Sequence, residues 1–310
     1  MESDDLSYYL YRLAGALVPH IPVQVGYALA AGVGSLICRA SHARRIVEDN
    51  VSHVLALPAD SPRVRRLACS IFRNQAKNYF DLLRLSALST EDIRRLARSV
   101  QGREHIEKAL ARGHGAVLIS AHFGNFDLAA QVVALYGYRV TTAAERLRPE
   151  RLFEYVRSLR ESHGLRFIPI DASLRPMFRA LHNNEIVGLV LDRNVTDAGR
   201  PVEFFGQPAR MPDGYLRLAL RTGAPLLVAF CHRLPDGAFE VNIEPEVQLE
   251  RTGDMEHDLS VSQRRVIAIF ERYLRRYPDQ WVYFQPVWPQ PDSDERRRVK
   301  DATAIEEMAR

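Results

Sequence analysis

The sequence predicts an α/β fold, a three-layer sandwich with a mostly parallel central sheet, preceded by an N-terminal helical extension. Three observations carry this. From residue 115 onward, short apolar runs rich in β-branched residues alternate with helix-like stretches. Those runs are too apolar for half-exposed hairpins and suit strands covered on both faces. Before residue 112 the pattern is helical and rich in arginine. The composition, 46% hydrophobic and 26% charged, is that of a globular chain and excludes disordered or collagen-like classes.

The first element is an uncharged run between Arg12 and Arg39, broken at Pro19 and Pro22 because proline removes a backbone donor and disturbs a helix. The uninterrupted piece, Val23 to Cys38, has 16 residues, short of the roughly 20 that span a bilayer. The acidic start MESDD lacks the cationic leader of a signal peptide. Tyr8, Tyr9 and Tyr11 precede the run, and Arg39, His42, Arg44 and Arg45 follow it. That arrangement suits helices lying in the interface of an anionic membrane. A helical hairpin packed on the protein's own core fits the same residues.

From about Ala43 to Arg112 the chain reads as helix, with Ser89 ahead of Thr90-Glu91-Asp92 as a helix start carrying acids in its first turn. The expected strands then follow in order: GAVLIS (115–120), YRVTTAA (138–144), RFIPI (166–170), IVGLVLD (186–192), PLLVAFCHR (225–233) and FEVNIEP (239–245). Pro235-Asp236-Gly237 joins the last two as a hairpin.

Charge and cysteine usage narrow the function classes. Of 42 cationic residues only Lys77, Lys108 and Lys300 are lysines, and arginine's planar guanidinium suits phosphate and anionic surfaces. Residues 1–112 hold a balance of +5 and the remainder −1, so the basic excess lies with the apolar N-terminal stretch. No basic patch with interleaved aromatics points to nucleic acid. The three cysteines, Cys38, Cys69 and Cys231, are widely spaced with no CxxC pair, so reduced thiols and a reducing compartment are expected.

Ligands of an open parallel sheet bind beyond the carboxyl ends of its strands. Three strand ends deliver chemistry there: His122 through Asp127 after GAVLIS, Glu145-Arg146 after YRVTTAA, and Asp192-Arg193 after IVGLVLD. His122 and Asp127 are five apart. They meet only if His122 sits in the strand-to-helix turn and Asp127 in the first helical turn, with Gly124 bending the chain and Asn125 capping the helix. An imidazole oriented by that carboxylate is a general base, and amides near Gly124 and Asn125 are candidate donors to an oxyanion. His122 as a mere cap and Asp127 as a first-turn acid fit the same pattern. No GxSxG elbow supplies a covalent nucleophile, Cys231 reads as core, and no metal spacing is present.

HFGNFD after an apolar strand resembles the HxxxxD pattern of glycerolipid acyltransferases. AERLRPERLFEYVRSLRESHGL, LDRNVTDAGRPVEFFGQPARMPDG, LALRTGAPLLVAF and DQWVYFQPVW resemble the lipid A lauroyl/myristoyl acyltransferase family, closest to its phosphatidylinositol mannoside acyltransferase branch, from about residue 45 to Trp288. The resemblance implies His122 as general base, Asp127 as its partner and Asp192 as a second catalytic carboxylate. It implies substrate contacts from Glu145, Arg160 and Arg193. Arg210, in the FFGQPAR block, is a candidate contact to a phosphate of donor or acceptor by its own charge. Structural ion pairs of Glu145 and Asp192 with Arg146, Arg160 or Arg193 are the competing reading.

The expected activity is therefore transfer of a fatty acyl group from an acyl thioester, acyl-CoA or acyl-carrier protein, to a hydroxyl of a glycolipid or phospholipid. A phosphatidylinositol mannoside-type acceptor is favoured, with no covalent acyl-enzyme, no cofactor beyond the thioester co-substrate and no metal. The alternatives are a non-catalytic lipid-binding membrane protein and an acyl thioesterase. The expected organisation is membrane-interface helices over 1–45, the acyltransferase α/β domain over 46–290 and a charged tail over 291–310. The expected location is the cytoplasmic face of the inner membrane, peripheral or monotopic. The N-terminal helices are the expected wall of an acyl groove.

Overall fold

The computed structural model describes residues 3–171, 173–193 and 199–288; the tail assigned to 291–310 lies outside the described residues. The chain opens with α1 (Ser3–Leu17) and α2 (Val23–Ala40), separated by a 3-10 turn at the two prolines, as their chemistry requires. Next come α3 (Ala43–Leu55), α4 (Pro62–Arg84) and α5 (Thr90–Leu96). Ser89 and Asp92 close a reciprocal capping box on α5.

The α/β part runs β1 (Ala97–Gln101), α6 (Arg103–Leu110), β2 (Ala116–Ser120), α7 (Phe126–Leu135), β3 (Val140–Ala144), α8 (Glu150–Arg160), β4 (Leu165–Pro169), α9 (Arg175–His182) and β5 (Ile186–Val190). It continues with β6 (Arg200–Phe204), β7 (Gln207–Met211), α10 (Gly214–Thr222), β8 (Leu226–Arg233), β9 (Phe239–Ile243) and α11 (Met255–Arg276). The seven-stranded sheet has the order β1-β9-β8-β2-β5-β3-β4, and only the β8–β9 pair is antiparallel.

Alternation along β2 shows why both faces are apolar. Ala116 and Leu118 enter one core with residues of α6, α7 and α8, while Val117 and Ile119 enter the other with residues of α9, α10 and α11. A third cluster packs α2, α3 and α4 together around Cys38, Val47, Val51, Val64 and Ile71.

Two expectations are corrected, and one turn is defined. Residues 97–101, read as helix, form edge strand β1, whose parallel pairing with β9 is a tertiary effect invisible in so short a segment. The Phe204-Phe205-Gly206 block turns a two-residue hairpin between β6 and β7, with Phe205 and Gly206 at φ 52° and 74°. Cys38 and Cys69 are disulfide-bonded, not free thiols. They are 31 residues apart in sequence, but close packing of α2 on α4 at Gly34 brings their Cα atoms within 5.5 Å, inside bonding range.

Candidate active site at the carboxyl ends of the central strands

Strands β2, β5 and β3 are adjacent, so the segments that follow them meet at one sheet edge. His122 lies two residues past β2. The turn is tied to the C-terminal segment: Val282 donates its amide to His122 O (2.8 Å) and Gly124 donates to Gln280 O (2.7 Å). Gly124 takes φ +56°, and a Cβ there would stand 1.7 Å from Cys231 O, so only glycine fits. Asn125 caps α7 by accepting from the Leu128 amide (3.1 Å).

The His122 ring is oriented by Asp192, not by Asp127. Its Nδ1 lies 2.7 Å from Asp192 Oδ1, and its backbone amide donates to Asp192 Oδ2 at 3.0 Å. Trp281 Nε1 also donates to Oδ2, at 2.9 Å. Burial alone raises the Asp192 carboxyl pKa, but the His122 charge and these hydrogen bonds outweigh it and hold the group below the usual carboxylate range. Asp192 is thus an ionised, acceptor-only anchor. With Nδ1 committed to it, Nε2 is the ring nitrogen left to face the cavity that His122 lines.

Asp127 sits in the first turn of α7, as the spacing required, but its carboxylate faces Arg160 of α8: Nε to Oδ1 is 2.8 Å, and Nη2 donates to Oδ2 at 3.2 Å. The first-turn geometry aims Asp127 across to α8 rather than back along the turn. Glu145, at the end of β3, is ion-paired with Arg193, just past β5. Arg210 stands apart. Alternation on β7 buries Ala209 and Met211 and turns Arg210 outward, away from the cavity wall. Nor do the Gly124 and Asn125 amides suit the expected oxyanion role, since Gly124 N–H is spent on Gln280 and the Asn125 amide is directed at the Cys231 sulfur.

A cavity of about 440 Å³ opens at His122 and runs between the sheet and α7. Its walls come from β2, β3, β5, β8 and β9 on one side and from α4, α7 and α8 on the other. The expected N-terminal wall reduces to Tyr11 of α1, because the apolar faces of α1 and α2 point outward. Tyr11 is hydrogen-bonded to Tyr79, and burial raises its phenol pKa to about 12. The cavity's charged lining residues include Asp127, Glu145, Arg157, Arg160 and Arg193.

Over residues 2–290 the sequence matches the family of bacterial lipid A biosynthesis acyltransferases. The chain belongs to this family. Its relatives include the phosphatidylinositol mannoside acyltransferase of Mycobacterium tuberculosis (strain H37Rv), 33% identical over 254 residues, which is 80% of this chain and 78% of the relative. That of Mycolicibacterium smegmatis is 36% identical over 199 residues, 63% of each. Within this acyltransferase, two further groups serve the site. Trp281 anchors Asp192. A buried network also holds the turn: Arg233 donates to Asn78 Oδ1 (2.9 Å) and Asp81 Oδ2 (2.6 Å), Asn125 Nδ2 donates to Asp81 Oδ2 (2.8 Å), and Asn78 Nδ2 donates to Gly124 O (2.6 Å). Local pattern offers no signal for Asp81 or Arg233, since each reads as an ordinary polar position on a helix or strand.

Proposed function

We propose that this acyltransferase moves a fatty acyl group from an acyl thioester to a hydroxyl of a lipid-linked acceptor of the phosphatidylinositol mannoside type, with His122 as general base. The observation that carries the reading is the His122–Asp192 contact at the mouth of an apolar cavity. Nε2 takes the acceptor proton as the hydroxyl oxygen attacks the thioester carbonyl. The resulting oxyanion forms beside the N-terminal end of α7, whose partial positive charge favours it; the rings of His122 and Phe126 are 5.2 Å apart there. Collapse breaks the carbon–sulfur bond, and the thiolate leaves with the proton held on Nε2. Asp192 keeps Nδ1 protonated and stabilises the imidazolium between the two transfers.

Arg160 and Arg193, held by Asp127 and Glu145, present guanidinium groups at the mouth for phosphate on either substrate. The acyl chain occupies the apolar interior. Exposed Leu6, Leu10, Leu13 and Leu17 of α1 and Val25, Leu29, Val33 and Leu36 of α2 form the face that rests in a membrane interface. Helix α2, with 18 residues and mean hydropathy 1.3, is long and apolar enough to cross a membrane by length and composition. The outward stripe supports the interfacial placement; the supply of acyl thioesters alone argues for the cytoplasmic leaflet, since the Cys38–Cys69 disulfide removes the argument from reduced thiols.

The test incubates the protein with radiolabelled acyl-CoA, a lipid extract and vesicles. Labelled lipid that disappears in a folded His122→Ala protein, with a rate loss of about 10²–10⁴, is the expected result. Labelled free fatty acid in place of lipid product, or no product at all, overturns the transferase reading. Leu29→Asp is expected to weaken co-sedimentation with anionic vesicles, and unchanged sedimentation overturns the interfacial placement.

A further inference from the structure

Glycine in the middle of a strand weakens it and needs a reason. Gly188 occupies the middle of β5, between β2 and β3, in register with Leu118 on one side and Thr142 on the other. Its conformation supplies no reason, since Gly188 is not among the glycines with positive φ. Crowding supplies none either. An added Cβ would meet Val140 Cγ1 at 3.5 Å and Thr142 Cβ at 3.8 Å, which is ordinary contact.

What the missing side chain does is leave space. β5 lies inside the sheet with helices on both faces, yet Gly188 is only partly buried. Gly188, Leu118 and Thr142 all line the cavity, so its exposure is to the cavity. Small residues of α7, Ala129 and Ala130, line the same space. The Gly188 row lies two residues, about 7 Å, below the Ser120–Val190 row at the strand ends. It therefore lies below the row of strand ends that leads into His122, on the cavity face of the sheet.

We infer that Gly188 sets the acyl-length limit of this enzyme, its absent side chain admitting the distal methylenes of a long donor. The inference rests on the acyl-transfer reading above. A side chain at 188 shortens the channel without touching His122, so it discriminates by donor length and leaves the chemical step alone.

The experiment compares wild type, Gly188→Ala and Gly188→Leu with a series of saturated acyl-CoA donors, octanoyl through stearoyl. In parallel, the thermal shift given by the corresponding free fatty acids is measured. Expected for Gly188→Ala is a fall of about tenfold in kcat/KM for the longest donors, with short donors unaffected. Expected for Gly188→Leu is an optimum moved to shorter donors. The fatty-acid thermal shifts should shorten in step. An unchanged length ranking overturns the inference, as does an equal loss for every donor or a wild type that no fatty acid protects. Length-dependent protection that shortens at Gly188→Leu, in a wild type that makes no lipid product, supports the length limit and refutes acyl transfer. Gly188→Ala meets no atom closer than 3.5 Å, so one variant folds in any case.

Discussion

Replacing Asp192 with asparagine tests which acid controls His122. Oδ2 accepts from two donors, the His122 amide at 3.0 Å and Trp281 Nε1 at 2.9 Å. The asparagine oxygen is held at that position, because turning it away sets an NH2 group against two N–H donors. The NH2 then falls opposite Nδ1, where Oδ1 lies at 2.7 Å in the parent. Nδ1 becomes an acceptor, so the proton moves to Nε2, and the nitrogen facing the cavity can no longer take one. Loss of general-base function lowers kcat by about 10²–10⁴, equivalent to roughly 3–5 kcal/mol of barrier.

The assay is initial-rate acyl transfer, with thermal unfolding followed over pH. Asp192 ionises below its usual 3.8 in the folded protein, so the unfolded chain takes up the proton first as pH falls. The stability contributed by the carboxylate is whole above about 3.8 and is lost as pH drops through the lower folded value. The gap in Tm between wild type and Asp192→Asn should therefore narrow on acidification. Asp127→Asn keeps hydrogen bonds to Arg160 and should act mainly on KM. An Asp192→Asn enzyme with near-wild-type kcat, beside an Asp127→Asn enzyme reduced a thousandfold, would refute the assignment.

Titration of the unfolded protein without reductant should find one thiol, Cys231, since Cys38 and Cys69 are bonded; three thiols would contradict this. Removing the bond as Cys38→Ser/Cys69→Ser should cost up to about 3–4 kcal/mol in denaturant unfolding, from the entropy of a 31-residue loop. Asp81→Ala strands the buried Arg233 charge and should destabilise by about 3–5 kcal/mol. A loss under about 1 kcal/mol in urea would show that the pair carries little.

Much of the architecture was legible in the residues because its signals are local. The apolar runs of β2, β3, β4, β5, β8 and β9, the proline break between α1 and α2, the Ser89 box and the Asn125 cap all rest on interactions within a few residues. The sequence by itself determined the parallel strands and hence that His122, Glu145 and Asp192 gather at one edge, since their positions just past β2, β3 and β5 are a matter of chain order. Strand order, β2-β5-β3, was decided by tertiary packing, and it puts Asp192 rather than Asp127 against the His122 ring. The same packing gave Asp127 to Arg160, spent the Gly124 amide on Gln280, brought Trp281 to Asp192 and closed the Cys38–Cys69 bond. Each of these contacts joins residues from 31 to 156 positions apart. Local propensity and spacing carry no information about which distant group a side chain meets, because that choice is made by how the layers stack.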